Sequence, residues 1–166
     1  MSLARRYPPD LYHGDGGDLS AVRVPADREP ELSHAGGGGA HYLATGESTG
    51  ALFGLYRWMM GPEPAGPAPH FHRSIAESFY VLTGVILIND GRGWAECGPG
   101  DFVHVPPGGV HGFRNESGEP ASMLLHFAPG APREEYFEVL ADTARRERME
   151  REGRDEFMFR HDTFWV

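Results

Sequence analysis

Three histidines and one glutamate are spaced in a way that suits a metal site. His70 and His72 form an HxH pair, and in a β-strand residues i and i+2 point to the same face, roughly 7 Å apart. Two imidazoles at that separation can tilt towards one ion. Glu77 opens the next alternating run, and His111 follows a Pro-Pro-Gly-Gly turn. This mixed N/O set suits one divalent transition metal (Fe, Ni, Mn, Co, Cu or Zn), with one or two positions left for water or substrate.

The elements that must position these side chains are short runs with period-two alternation, which predict strands. The runs are separated by Gly, Pro and Asn-Asp turns and cover residues 51–60, 70–71, 77–83, 85–89, 93–97, 101–105, 111–115 and 122–127. No helical period lies between them. Strands spaced this closely are typical of an all-β barrel or sandwich.

The two flanks differ in composition from this middle region. Residues 1–50 are rich in Gly, Pro and polar groups and predict an irregular arm, packed on the barrel or on a dimer partner, with short strands near residues 19–24 and 40–44. Residues 132–151 predict one helix that ends at Gly153. The aromatic tail, residues 155–166, is expected to pack on the barrel or on a second subunit. The predicted division is therefore 1–50, 51–128 and 129–166.

Two motifs in residues 66–115 resemble those of the cupin superfamily. The first motif reads His70-x-His72, four residues, Glu77, six residues, Gly84. The second motif reads Gly100, five residues, Pro106-x-Gly108, two residues, His111, three residues, Asn115. The fifteen residues between Gly84 and Gly100 are similar to the spacing of small single-domain bacterial cupins. One departure is Pro64, where the first motif often begins with Gly.

The resemblance implies an antiparallel double-stranded β-helix, a jelly-roll barrel, with His70, His72, Glu77 and His111 as metal ligands. It also implies homodimers, commonly with exchanged N-terminal strands. Small cupins of this kind include quercetin-dioxygenase-like enzymes. The expected activity is therefore a metal-dependent dioxygenase that acts on an aromatic or enolisable small molecule. Two alternatives are a non-oxidative cyclase, isomerase or lyase on the same centre, and a barrel that only binds a small ligand.

Glu77 is the predicted catalytic residue, because it can either stay a ligand or swing away to accept a substrate proton. Phe79 and Val81 share strand parity with Glu77, and Phe113 shares it with His111. All three are expected to form apolar pocket walls near the metal. They either contact the substrate or only fill the core.

Charge and cysteine content exclude several classes of protein. The formal net charge is −9, and all 15 basic residues are Arg, which argues against binding to nucleic acid or to anionic membranes. The single cysteine, Cys97, excludes an intramolecular disulfide. Residues 1–20 lack the apolar region of a signal peptide. The expected location is the cytoplasm.

Four further side chains have weaker assignments. His104 and His126 lie in predicted strands, and each is interpreted as a structural histidine or as a polar group behind the metal site. His161 and Arg73, which lies beside the HxH pair, are candidates for anchoring substrate.

Overall fold

The computed structural model describes residues 7–34 and 36–166, so the first six residues of the predicted arm lie outside the described part. The strands are β1 (Leu32–Ser33), β2 (Gly39–Ala44), β3 (Gly54–Met60), β4 (His70–Phe71), β5 (Ala76–Thr83), β6 (Ile86–Asn89), β7 (Trp94–Cys97), β8 (Phe102–Val105), β9 (Gly112–Arg114), β10 (Ala121–Ala128) and β11 (Phe164–Trp165). The helices are α1 (Glu134–Ala141), α2 (Thr143–Glu152) and α3 (Arg154–Arg160). None of the helices in these ranges has the length and hydropathy that crossing a membrane requires.

Antiparallel pairing joins the described strands into three sheets. A six-stranded sheet has the order β1-β2-β3-β10-β5-β8, and a three-stranded sheet has the order β7-β6-β9. The small third sheet pairs β11 with β4. An isolated bridge between His70 and His111 links β4 to the start of β9. The two histidine-bearing segments therefore lie side by side.

The two larger sheets share one hydrophobic core. Tyr56 and Phe79 project into it from the six-stranded sheet, and Ile88 and Phe113 project from the three-stranded sheet. The rings of Phe79 and Phe113 lie 5.7 Å apart between centroids. Each fully buried apolar side chain of this size contributes roughly 1.5–3 kcal/mol. This arrangement confirms the predicted all-β, antiparallel fold class.

The predicted strands of the middle region are confirmed, with bounds that differ from the prediction by three residues or fewer. The turn between β5 and β6 shows why a glycine is needed there. Gly84 has φ +71°, and a Cβ atom would lie 2.7 Å from the Pro120 carbonyl oxygen. Any other residue would meet both backbone strain and a close contact.

The strand predicted near residues 19–24 is wrong. This segment is irregular, and its apolar side chains Leu19 and Val22 are 109% and 89% exposed. Apolar residues alone do not make a strand, because a strand also needs a partner for its backbone hydrogen bonds. The strand predicted near residues 40–44 is confirmed as β2, which pairs with β3 and with the short β1.

The prediction of a single helix over residues 132–151 is also wrong, because this segment forms two helices, α1 and α2. Asp142 has an extended backbone, with φ −84° and ψ 113°, and it ends α1. Its side chain accepts a hydrogen bond from the Arg145 backbone N–H at 2.9 Å and so caps α2. Gly153 ends α2 as predicted. The aromatic tail forms α3 and β11 and packs on this chain, with Phe157 and Met158 buried.

Candidate metal centre

The structure brings the four predicted ligands together. His70, His72, Glu77 and His111 each offer one ligand atom, and these atoms all lie within 4.8 Å of one another. Each residue is 3% exposed or less. Reciprocal backbone hydrogen bonds of 2.8 Å between His70 and His111 hold their two segments in register. The ring centroids of these two histidines are 4.4 Å apart.

Each histidine of the cluster is oriented through its second ring nitrogen. Nδ1 of His70 and Nδ1 of His111 each lie 2.9 Å from the carbonyl oxygen two residues earlier. Nδ1 of His72 lies 2.5 Å from the carbonyl oxygen of Asp162. A carbonyl oxygen only accepts hydrogen bonds, so each Nδ1 carries the proton. Nε2 is then the free lone pair, and carbonyl-anchored rings of this kind are typical of metal ligands.

The contacts around Glu77 show that a bound cation would stabilise the cluster. Its Oε2 atom lies 3.1 Å from Nε2 of His72 and 2.9 Å from Nε2 of His111. With the protons on Nδ1, these are contacts between acceptors, and they are favourable only if extra protons or a metal ion stand between them. Three imidazole nitrogens and one carboxylate form a donor set that fits a divalent transition metal. The residues present therefore fit the implied metal.

The acid–base properties of Glu77 and His70 agree with this fit, whereas His111 is shifted towards its protonated form when no metal is bound. Burial alone would raise the pKa of Glu77, but without a metal, hydrogen bonds from His111 and His72, which require an additional proton on each Nε2, bring it well below its usual range. Burial, aided by the charge of His111, lowers the pKa of His70 to about 4. Burial acts to lower the pKa of His111, but its hydrogen bond to Glu77 outweighs this and raises it. An ionised carboxylate and a neutral imidazole are the forms that bind metals.

Asp162 is a site residue that the sequence reasoning did not assign to the metal centre. Its backbone carbonyl holds His72, and its carboxylate accepts hydrogen bonds from the backbone N–H of Arg73 and of Ser74 at distances of 2.8–3.1 Å. It adopts φ +52°, a conformation that Asp tolerates better than most residues. Pairing of β11 with β4 places this turn beside the HxH pair. The aromatic composition of the tail was the signal in the sequence that could have indicated this role, because packing of the tail brings Asp162 next to His72.

A cavity of about 610 Å³ reaches the cluster, and His70 and Glu77 line it. Its walls are mainly apolar and include the aromatic side chains of Trp58, Phe113 and Phe127. This volume lies within the range of small-molecule sites. The described lining also includes side chains of the C-terminal region, which the sequence reasoning missed: Arg133, Tyr136, Phe137 and Trp165.

The three predicted pocket residues differ in position. Phe113 lines the cavity. Phe79 and Val81 are 0% and 1% exposed in the core and are not among the described lining residues. Phe79 lies behind the cluster, with its ring centroid 6.0 Å from that of His111. A direct role of these residues in substrate binding stays a prediction.

The three candidate histidines His104, His126 and His161 and the cysteine are not among the described lining residues of the cavity. His104 is exposed and its Nδ1 lies 3.0 Å from the Ser78 hydroxyl oxygen. His126 stacks on Phe53 at 5.8 Å. His161 is buried against Phe157. Cys97 is free and buried, and burial raises the pKa of its thiol.

Arg73, the remaining anchoring candidate, is exposed and stacks on the tail. Its guanidinium carbon lies 4.1 Å from the centroid of the Phe164 ring. The described lining of the cavity does not include Arg73. The Arg73 side chain therefore packs on the C-terminal tail and is not part of the described cavity wall.

Residues 56–127 match a family model described as Cupin domain. This range contains all four clustered side chains and most of both larger sheets. The fold and the motifs agree with the match. This part of the chain is therefore a cupin domain, as its two motifs predict.

Among curated proteins, the chain is similar to quercetin 2,3-dioxygenase from Bacillus subtilis. The two are 35% identical over 83 residues, which cover 49% of this chain and 24% of that enzyme. The chain thus matches about a quarter of the length of this relative. The predicted likeness to quercetin dioxygenases is confirmed at the level of this shared region.

Solved structures share the fold at low identity. A protein described as a predicted oxalate decarboxylase from Thermotoga maritima gives a TM-score of 0.58 at 18% identity, covering 66% of this chain and 99% of that one. A cupin 2 conserved barrel domain protein from Salinispora arenicola gives a TM-score of 0.52 at 21% identity, covering 78% of this chain and 97% of that one. At these identities, the two comparisons show a shared fold and nothing further.

Proposed function

We propose that this protein is a metal-dependent cupin enzyme, a dioxygenase that acts on an aromatic or enolisable small molecule. The observation that carries the proposal is the buried cluster of His70, His72, Glu77 and His111, two members of which line a mainly apolar cavity. The shared region with a quercetin 2,3-dioxygenase supports the oxidative form of the chemistry. A mainly apolar cavity with a few convergent polar groups is typical of a small-molecule site.

The four clustered side chains would hold one divalent metal through three Nε2 atoms and one carboxylate oxygen. The bound metal would supply Lewis acidity towards a substrate oxygen and, in a redox-active form, reactivity with O₂. The carbonyl groups that fix each Nδ1 keep the Nε2 lone pairs directed at a single point. Trp58, Phe113 and Phe127 would exclude water and hold a flat substrate.

Glu77 would act as the proton acceptor. Hydrogen bonds from His111 and His72 lower the pKa of this carboxyl group, whereas burial alone would raise it. With a metal bound, the Nε2 atoms would be ligands and the metal would stabilise the ionised carboxylate in place of those hydrogen bonds, so a movement of the carboxylate away from the metal would remove this stabilisation. Its proton affinity would then rise at the moment when it faces a substrate hydroxyl or enol.

Metal content is the first test. We expect about one equivalent of Fe, Ni, Mn, Co or Cu in the wild-type protein, purified without a histidine tag and measured by plasma mass spectrometry. His72→Ala should lose the metal, and the matched control His104→Ala should keep it, because His104 is exposed and lies outside the cluster. Metal-loaded protein should then consume O₂ with a flavonol, a catechol or a β-diketone.

The alternatives give different results in the same experiments. Zinc as the only metal, with turnover under anaerobic conditions, would replace the dioxygenase by a cyclase, isomerase or lyase. A protein with no metal in either form would be a small-ligand-binding cupin, and the enzyme proposal would fail.

The proposal also includes a homodimer. In the single chain, apolar side chains of the arm such as Leu11 and Leu19 are exposed, and a second copy would cover them. The division into residues 1–50, 51–128 and 129–166 belongs to this proposal, with the part of the first segment that precedes β1 packed on the partner and β1 and β2 on this chain's own sheet. Sedimentation equilibrium of the full chain tests it, and a monomer at all concentrations would refute it.

A further inference from the structure

A buried arginine lines the same cavity as the metal cluster. Arg133 lies between β10 and α1 and is only 4% exposed. It shares the described cavity lining with His70 and Glu77. Phe127 stands between the two groups, with its ring centroid 5.3 Å from the guanidinium carbon of Arg133 and 6.5 Å from the ring centroid of His72.

The guanidinium group of Arg133 is only partly satisfied by the protein. Its Nη1 donates a hydrogen bond to the His161 carbonyl oxygen at 2.6 Å, and its guanidinium carbon lies 4.1 Å from the centroid of the Tyr136 ring. Its Nε is buried and has no hydrogen-bond partner. A buried donor without a partner costs free energy, so the described chain leaves the charge of Arg133 only partly stabilised.

No carboxylate of residues 7–34 and 36–166 forms an ion pair with Arg133 within 4.0 Å. The acidic groups nearest to it along the chain are already engaged. Glu134 accepts a hydrogen bond from the Tyr56 hydroxyl at 2.6 Å, and Glu135 lies 3.5 Å from both Arg160 and His161. Glu77 faces two histidines. A buried charge is normally paired, so Arg133 lacks its counter-charge.

The other charged side chains of the lining do not compensate for Arg133. Glu63 and Glu150 are exposed at the rim, where Arg146 and Arg154 also contribute to the described lining. These two acidic and two basic groups offset one another. The buried end of the cavity is therefore left with Arg133 and the metal cluster.

We infer that the cavity binds an organic anion, an aromatic or conjugated carboxylate whose carboxylate group pairs with Arg133 while its ring packs against the aromatic walls. This inference names the substrate class of the proposed function and rests on it. Within the described residues Nη1 of Arg133 already donates to the His161 carbonyl oxygen, so the second Nη group is the one that can donate to a carboxylate. The aromatic rings of Trp58, Phe113 and Phe127 match a flat acid in shape and polarity.

Benzoate and benzamide test this inference, because they have nearly the same shape and differ in charge. Binding to the metal-loaded full-length protein can be followed by calorimetry and by tryptophan fluorescence, since Trp58 and Trp165 line the cavity. We expect benzoate to bind about 10-fold to 100-fold more tightly than benzamide, as for a hydrogen bond to a charged group. Equal affinities in the wild-type protein would overturn the inference.

Three variants separate Arg133 from the metal as the source of the preference. Arg133→Met should abolish the preference for benzoate, and Arg133→Lys should keep part of it. The matched control Arg92→Met should keep all of it, because Arg92 is exposed in the turn between β6 and β7. A preference that survives in a folded Arg133→Met protein would come from the metal and would overturn the inference.

Metal content measured on the same samples keeps the two proposals distinguishable. Metal-loaded protein without a preference for benzoate leaves the proposed function in place and refutes only the role of Arg133. Wild-type protein that holds no metal refutes the proposed function. A preference for benzoate that Arg133→Met removes from such protein would still establish the anion site.

Discussion

Residues 70–111 and residues 133–165 both reach the metal cluster, but they contribute different kinds of atoms. The first stretch supplies the four ligand side chains. The second supplies the backbone carbonyl of Asp162, which orients His72, and the side chains of Arg133 and Trp165, which line the cavity. Only the first stretch lies within the residues that match the cupin family model.

This comparison separates the residues that could bind a metal from the residues that shape the access of a small molecule to that metal. The ligands lie on β4 and β5 and on residues directly next to β4 and β9, all of them within the domain. The cavity walls come partly from helices that follow the domain. The candidate metal ligands thus belong to the domain, whereas part of the cavity wall comes from the region outside it. Four experiments, from the largest expected effect to the smallest, would break or sharpen this comparison.

Loss of a ligand should have the largest effect. His111→Ala should abolish metal binding and destabilise the protein by about 3 kcal/mol, because the buried Glu77 carboxylate loses one of its two imidazole partners. Metal analysis and urea denaturation measure the two effects. His104→Ala, at an exposed histidine, should change the stability by no more than about 0.5 kcal/mol. A His111→Ala protein with full metal content would show that the ligand set is different.

Removal of the metal should come next. Metal present at 100 times its dissociation constant stabilises the native state by about 2.7 kcal/mol, which corresponds to about 5–10 °C in Tm for a chain of this size. Thermal denaturation with and without a chelator measures the shift. The same treatment should leave the Tm of His72→Ala unchanged. An equal shift in both proteins would mean that the chelator acts elsewhere.

A change in the tail should weaken metal binding without abolishing it. Asp162→Gly keeps the positive φ accessible but removes the carboxylate that holds Arg73 and Ser74. We expect metal affinity to fall about 10-fold, as for other groups that orient a ligand. A chelator competition titration measures it. The control is Asp90→Gly, because Asp90 likewise accepts backbone hydrogen bonds in a turn, and its metal affinity should stay at the wild-type value.

The smallest effect is expected from the arm. Leu19→Ala and Val22→Ala change exposed side chains of an irregular segment, so metal affinity should be the same as in the wild-type protein. The chelator titration used for Asp162→Gly provides the comparison. A fall in affinity as large as that of Asp162→Gly would contradict the contrast between the two flanks.

Much of the fold could be predicted because strand alternation is a local property. Glu77, Phe79 and Val81 point inwards from β5 as their parity predicts. The segment with Leu19 and Val22 was also predicted as a short strand, yet no strand of the described chain pairs with it. Whether an alternating segment becomes a strand depends on a partner that its own residues do not specify.

The C-terminal region was harder to predict because the sequence of residues 132–151 is compatible with one long helix or with two shorter ones. The apolar face of Tyr136 and Phe137 continues into a polar stretch, which suggested a single helix. Asp142 instead caps a second helix, and Asp is among the residues that favour this position. The break turns the chain back over the cavity. Only the packed structure shows which reading applies.

The sequence by itself determined the class of domain, the types of its four candidate ligands and their spacing, because alternation along a strand and turn geometry act over a few residues. The tertiary structure alone decided that the Asp162 carbonyl meets His72 across 90 residues and that Arg133 lies unpaired in the cavity. Contacts of this kind depend on how the tail packs against the sheets. Packing is set by the shape and burial of the whole core, and no local pattern in the chain encodes it.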